Sequence, residues 1–141
     1  MRWPWQKKDS PPGQHLRTGL WGEQQAADLL AREGYRILGR RVRVGTRDEL
    51  DIVARQNDVL VFVEVKTRRR EDFGSPMSSV NRGKRHAQSR AALRYMERLR
   101  SRPAYFRFDV VEVVGTEGEG NPEIRHIENA FTLDARLRVP W

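Results

Sequence analysis

One stretch of the sequence, residues 59–66, constrains the fold more than any other, because it is the most apolar segment and still ends in two opposite charges. Its valines, leucine and phenylalanine favour extended backbone, and successive side chains of a strand point to opposite faces. The four valines therefore share one face, and the other face carries Leu60, Phe62, Glu64 and Lys66. We expect a buried strand whose two charged side chains emerge beside apolar neighbours.

A second strand is predicted at residues 49–54, and the polar residues 56–58 between the two strands predict a hairpin. If the loop consists of Asn57 and Asp58 alone, Asp51 lies directly opposite Glu64. Opposed residues have Cβ atoms about 4.5–5.5 Å apart, so two carboxylates there repel each other. A divalent cation with oxygen ligands would relieve that repulsion. A three-residue loop would instead shift the register and separate the pair.

The charge of the chain points to a class of partner. The 141 residues suffice for one domain with a core, and 27 Lys and Arg against 19 Asp and Glu give a net charge of +8. This excess favours a polyanion, nucleic acid first and an acidic membrane surface second, over a charge that serves solubility alone. The absence of cysteine excludes disulfides and thiolate sites. The sequence has no apolar run near the ~20 residues of a membrane span and no signal-peptide pattern. We therefore expect a cytoplasmic protein.

The chain is expected to consist of a tail and one domain. Residues 1–14 combine prolines, a glycine and basic side chains, which predicts a flexible tail, and residues 15–141 are expected to form a single domain. Helices are predicted from Thr18, a candidate N-cap, to Gly34 and at 79–101. Strands are predicted at 35–44, 49–54, 59–66, 106–111 and 124–127. That order indicates an α/β domain with a mixed sheet. The second helix separates two strands, which favours a parallel crossover.

The first helix carries an acidic residue at an unexpected place. Glu23 precedes Ala26, Ala27 and Leu30 at the spacing of a core-facing stripe. A carboxylate there indicates a role in a site. A first-turn glutamate favoured by the helix dipole explains the same position without a function, and the sequence leaves both interpretations open.

The densest basic segments surround the loop that follows the central strand. Phosphate contacts are predicted for Arg68, Arg69, Arg70, Arg82, Lys84 and Arg85. For the residues of the second helix, a solvated helix face is the alternative.

The remaining chemistry depends on carboxylates and one lysine. The three histidines are dispersed, and there is no Walker, dinucleotide or Gly-x-Ser-x-Gly pattern. Asp51 and Glu64 would hold Mg²⁺ or Mn²⁺, and Lys66 would orient or deprotonate water, as hydrolysis of a phosphodiester requires. Glu23 would complete the outer shell or bind a second ion. Taken alone, Glu64 and Lys66 also fit an edge-strand charge pair that prevents aggregation.

A series of motifs gives the sequence a family resemblance. They are Gly-Glu at 22–23, Gly-Tyr-Arg-Ile-Leu at 34–38, Glu-Leu-Asp-Ile-Val-Ala at 49–54, Phe-Val-Glu-Val-Lys-Thr-Arg at 62–68, Phe-Gly-Ser-Pro at 73–76, Arg-Phe-Asp-Val-Val at 107–111 and His-Ile-Glu-Asn-Ala-Phe at 126–131. From about His15 to Phe131 the chain resembles the YraN-type bacterial family UPF0102. That family is assigned to the restriction-endonuclease-like PD-(D/E)XK superfamily, similar to archaeal Holliday-junction resolvases.

The resemblance implies a fold and an activity. The fold would have three layers, with a central mixed sheet flanked by helices, and the activity would be that of a Mg²⁺-dependent endodeoxyribonuclease, with branched DNA among its candidate substrates. Asp51, Glu64 and Lys66 take the catalytic positions, and Glu23 takes the helix-borne acidic position.

Two residues depart from the usual family pattern, Asp48 where glycine is usual and Arg41 where asparagine is common. Asp48 is expected to alter metal affinity, and Arg41, like Arg43 nearby, is expected to contact phosphate.

Two functions of different classes stay open. One is a metal-dependent endonuclease, with DNA favoured as its substrate. The other is a non-catalytic nucleic-acid-binding protein that keeps the fold and the basic surface. Resolvase-like chemistry would need two sites and therefore a homodimer. Attachment to acidic membranes through the tail and residues 68–70 is a remote third hypothesis.

Overall fold

The computed structural model describes residues 13–70, 82–134, 137 and 139. Their elements, in chain order, are α1 (Gln14–Arg32), β1 (Arg36–Val44), β2 (Asp48–Gln56), β3 (Val59–Arg68), α2 (Arg82–Glu97), β4 (Tyr105–Val114) and β5 (Glu123–Phe131). The predicted order of elements and the α/β class are confirmed. Within these residues, no helix is both long and apolar enough to cross a membrane. The tail predicted for residues 1–14 lies outside the described part, apart from its last two residues.

Helix α1 begins at Gln14, one turn before the start predicted at Thr18. Gly13 caps the helix with φ 87°, a left-handed conformation that glycine adopts without steric cost. The backbone N–H of Arg17 donates to the Gly13 carbonyl at 3.0 Å, which closes the first turn. Thr18 therefore lies inside the helix, and its predicted role as N-cap is wrong.

The five strands form one mixed sheet in the order β1-β2-β3-β4-β5. Strands β3 and β4 are parallel, and the other neighbouring pairs are antiparallel. Helix α2 connects the two parallel strands, so the predicted parallel crossover is confirmed. Strand β3 consequently lies at the centre of the sheet, with two strands on each side.

The two faces of β3 pack against different helices. Val61 and Val63 lie in a core with Leu30 of α1, whereas Leu60 and Phe62 lie in a second core that contains α2. The predicted division of the strand into a valine face and a Leu-Phe face is confirmed. Phe62 is 1% exposed, and its truncation to alanine would cost about 3–5 kcal/mol.

The loop of the hairpin between β2 and β3 consists of two residues, Asn57 and Asp58, which is one of the two alternatives left open by the sequence. Asn57 adopts φ 54°, a conformation that asparagine tolerates and that matches the twist of paired strands. The pairing runs in the predicted register from Gln56 with Val59 to Ile52 with Val63. It ends there, one residue before Asp51 and Glu64.

Candidate active site

The Asp51 side chain bonds to the backbone of β3 just beyond the last residue pair of the hairpin. Its Oδ2 atom accepts a hydrogen bond of 2.9 Å from the backbone N–H of Val65. The direct opposition expected between Asp51 and Glu64 is therefore replaced by a bond from the Asp51 side chain to the neighbouring strand. The negative charge of Glu64 still raises the pKa of Asp51, so the two carboxylates interact electrostatically.

The alternation of side chains between the two faces of β2 is interrupted at Asp51. Leu50 belongs to the core on the α2 face, and Ile52, two residues later, belongs to the core on the α1 face. In a regular strand, residues two apart share a face. Asp51 lies at this irregularity, which explains how its side chain can reach the backbone of β3.

Glu64 is buried and has two lysines nearby. Lys66 Nζ lies 3.1 Å from Glu64 Oε1, and Lys84 Nζ lies 4.0 Å from the same oxygen. The pKa of Lys84 is lowered, first by its hydrogen bond with Lys66 and then by burial and the positive charge of Lys66. Lys84, predicted as a phosphate contact, thus belongs to the site itself. Glu64 Oε2 is buried and has no hydrogen-bond partner.

Asp51 has a strongly perturbed acidity. Burial raises its pKa to about 6, and the negative charges of Glu23, Glu64 and Glu49 act in the same direction. The hydrogen bond from Val65 opposes this effect. A carboxylate whose charge is this costly gains more than an exposed one from a bound cation.

Glu23 lies in the site, paired with a cation. Its Oε2 atom is 2.9 Å from Arg41 Nε, and Arg41 Nη1 lies 3.8 Å from Glu49 Oε1. The helix-dipole interpretation of Glu23 is wrong, because α1 begins well before it and Glu23 is not in the first turn. Arg41, with φ 48° within β1, is engaged by carboxylates. Glu49 was not predicted, although it precedes Asp51 by two residues.

Asp48 lies outside this arrangement. Both of its carboxylate oxygens accept hydrogen bonds of 2.8 Å from the guanidinium of Arg90 on α2. This pairing holds the pKa of Asp48 below its usual range. Asp48 thus joins β2 to α2, and its carboxylate is already engaged by Arg90.

The other predicted phosphate contacts are spread along the sheet and α2. Arg43 and Arg85 are exposed, and Arg70 donates to the carbonyl of Asn121 at 3.1 Å. Arg69 lines a cavity beside α1. Arg82 begins α2, and its side chain lies outside the described part of the structure.

A second buried carboxylate neighbours the site on β4. Glu112 is in register with Lys66 across the parallel pair, and its Oε2 lies 3.7 Å from Arg68 Nε. Its side chain is 4% exposed, and Oε2 accepts no hydrogen bond. Glu112 was not predicted, although a single acid between valines at 110–114 is the signal that could have identified it.

These residues fit a metal ion only with help from other ligands. Among the described residues, no three Asp, Glu, His or Cys side chains gather to hold an ion. Arg41 engages Glu23, which leaves Asp51 and Glu64. The unpaired Oε2 of Glu64 carries a desolvation cost that an ion would remove. Mg²⁺ is commonly bound by one or two carboxylates with water and substrate oxygens, and this donor set fits that pattern.

Comparison with known proteins identifies related sequences. A family model described as "Uncharacterised protein family UPF0102" matches residues 22–113. The UPF0102 protein of Symbiobacterium thermophilum is 46% identical over 115 residues, which cover 82% of this chain and 96% of that protein. A UPF0102 protein of Trichlorobacter lovleyi is 44% identical over 117 residues, covering 82% and 91%. One from Syntrophomonas wolfei is 45% identical over 118 residues, covering 80% and 96%.

Proposed function

We propose that this chain, which belongs to the uncharacterised protein family UPF0102, is a metal-dependent endonuclease that hydrolyses phosphodiester bonds, with DNA as the favoured substrate. The observation that carries the proposal is the convergence of Asp51, Glu64 and Lys66 at one end of β3, with one Glu64 oxygen buried and unpaired. Neighbouring carboxylates with a lysine suit a reaction in which negative charge develops on phosphate.

Each of these side chains has a role in the proposed reaction. Mg²⁺ or Mn²⁺ bound by Asp51 and Glu64 would supply positive charge for the phosphate and acidity for water. Lys66, whose Nζ lies beside Glu64, would donate hydrogen bonds to the attacking water or to a phosphate oxygen. Lys84 lies next to Lys66, and the lowered pKa of Lys84 makes a neutral amine more accessible for proton transfer.

Glu23 is proposed to act from the outer shell instead of binding a second ion. Its carboxylate is buried, and the Arg41 guanidinium supplies the opposite charge at 2.9 Å. A second divalent ion would have to displace Arg41, a costly exchange for a buried carboxylate. Arg41 would therefore support the site first, and any contact it made with phosphate would be secondary.

The restriction-endonuclease-like fold belongs to the same proposal. Its support is the mixed sheet, with α1 packed on one face, α2 on the other and a parallel β3-α2-β4 unit. A homodimer is proposed for cleavage of branched DNA, because two strands would need two sites.

A specific observation favours the second candidate, a non-catalytic nucleic-acid-binding protein. Lys66 and Lys84 already place positive charge beside Glu64, and the described residues hold no preformed three-ligand metal site. Such a protein would bind nucleic acid with strong salt dependence and would not cleave it.

Single-turnover cleavage separates the two candidates. Labelled junction, flap and linear DNA would be incubated with Mg²⁺ or Mn²⁺, using wild type, Asp51→Asn and Lys66→Met. Asp58→Asn, at the exposed turn of the same hairpin, is the matched control. We expect Asp51→Asn and Lys66→Met to lose cleavage by roughly two orders of magnitude or more, and the control to keep it. Equal residual cleavage in all four proteins would reject the endonuclease.

A further inference from the structure

A cavity of about 310 Å³ lies beside α1, at the end of the sheet where the candidate site is found. One wall is a single face of the helix, with Arg17, Thr18 and Trp21 at helical spacing. The opposite wall comes from the chain just after β3 and β4, with Arg69 and Thr116. The volume is at the lower end of the ~300–1,000 Å³ usual for ligand sites.

The walls of this cavity are held in place by backbone contacts. The backbone N–H of Gly115 donates to the carbonyl of Arg68 at 2.8 Å, which ties the start of the β4–β5 loop to the end of β3. Gly115 has φ 151°, and a Cβ added there would come within 3.2 Å of the Pro122 backbone and 3.7 Å of the Trp21 ring. Glycine therefore allows the loop to close tightly against Pro122, and the same position lies at ordinary contact distance from the indole.

We propose that this cavity binds one unpaired nucleotide of the substrate strand. The half-buried indole of Trp21 would stack on the base, and Arg17 and Arg69 would contact the flanking phosphates. Glu117, also on the wall, would accept a hydrogen bond from an exocyclic amino group of the base. Stacking on an aromatic ring selects single strands, because a paired base has no free face.

The position of the cavity fits a strand that also reaches the candidate site. Lys66 lies on the α2 face of β3 and Arg69 on the α1 face, so a bound strand would pass over the end of the sheet. The three residues from Lys66 to Arg69 span about 10 Å at the ~3.3 Å rise of a strand. That distance is about three steps of a stacked nucleotide strand. Thr67, between them, packs against Gly22, the residue after Trp21, so β3 joins the two places rigidly. The inference rests on the proposed function in taking nucleic acid as the substrate.

The test is equilibrium binding of a short labelled oligodeoxycytidylate, whose bases carry an exocyclic amino group, measured by fluorescence anisotropy in EDTA, where no cleavage occurs. Removal of a stacking ring by Trp21→Leu is expected to weaken binding roughly 5- to 150-fold. Trp21→Phe should restore most of it. Tyr105→Leu is the matched control, because this aromatic side chain is 62% exposed at the opposite end of the sheet. The same substitution at Trp21 should leave binding to a blunt duplex unchanged.

A second variant keeps the test decisive if Trp21→Leu fails to fold. Arg17 is exposed, and Arg17→Gln should weaken binding and lower the salt slope by about one, whereas Arg36→Gln, on an exposed residue at the other end of the sheet, should not. Wild-type binding by both cavity variants would overturn the proposal. So would equal sensitivity of duplex binding, or a free nucleotide bound as tightly as the oligonucleotide.

Because binding in EDTA needs no chemistry, the two proposals can fail separately. Weaker binding of the Trp21 variant, in a protein that cleaves nothing, would keep the subsite and reject the endonuclease. Unchanged binding by the Trp21 variant, in a protein whose cleavage needs Asp51, would reject the subsite and keep the endonuclease.

Discussion

Replacing Asp51 by asparagine should make the folded protein more stable above about pH 6, although it removes a side chain that the proposed reaction requires. Burial and three neighbouring carboxylates raise the pKa of Asp51 to about 6, so its negative charge is costly in the folded state. Asparagine keeps the shape of the side chain and an amide oxygen for the Val65 N–H, but it carries no charge. Functional sites often carry such a stability cost.

The magnitude follows from the two pKa values of Asp51. In the unfolded chain the ordinary value of 3.8 applies, and in the folded chain the pKa is about 6. At about 1.4 kcal/mol for each pKa unit, the difference corresponds to about 3 kcal/mol. Because the folded pKa is the higher one, the contribution of the protonated carboxyl is complete below pH 3.8 and is lost as the pH rises through 6. The advantage of Asp51→Asn should therefore open across this window.

Urea denaturation followed by circular dichroism measures this difference in the free energy of unfolding. Both proteins would be compared in EDTA at about pH 4 and about pH 8, where the gap should be near zero and about 2–3 kcal/mol respectively. Asp58→Asn should stay within about 0.5 kcal/mol of wild type at both pH values. If Asp51→Asn were no more stable than wild type at the higher pH, or if its advantage persisted in acid, the assignment of a half-buried carboxylate repelled by its neighbours would be refuted.

Three further predictions concern other contacts. Arg90→Met should lower the free energy of unfolding by about 3–5 kcal/mol at neutral pH, because it removes the partner of buried Asp48. Since the pairing lowers the pKa of Asp48, this loss should shrink in acid. A pH-independent loss in urea denaturation would contradict the pairing. The Nε2–H group of His126 donates to fully buried Asp109 at 2.7 Å, which raises the pKa of His126. The stability lost in His126→Gln should therefore be larger at about pH 5.5 than at about pH 9, and equal losses would count against a charged pair. Gly22→Ala should lower the stability by about 1–3 kcal/mol, because its Cβ would collide with the Thr67 hydroxyl, and adding Thr67→Ala should recover part of the loss. Thermal denaturation measures this change, and an unchanged melting temperature would rule out the close packing.

The hairpin shows how much of this fold is encoded locally. The alternation of apolar residues in 59–66 predicted both faces of β3. The register up to Ile52 and Val63 followed from a two-residue loop at Asn57 and Asp58, which was one of two alternatives left open by the sequence. These features depend on side-chain direction and turn chemistry within a few residues, which the sequence states directly. The start of α1 was missed, because the capping conformation belongs to the Gly13 backbone and not to the Thr18 side chain.

The sequence by itself determined the order of the elements and the central strand, and it predicted four members of the candidate site, Glu23, Asp51, Glu64 and Lys66. Only the tertiary structure decided how those members meet. In the folded chain the Asp51 carboxylate bonds to the backbone of β3, and Glu23 forms an ion pair with Arg41. Lys84 and Glu112 lie near Lys66. These contacts join elements that are far apart in sequence, and their energies depend on burial and charge, which no local pattern specifies. The same strand that the sequence identifies thus acquires its chemistry from the helices and strands packed around it.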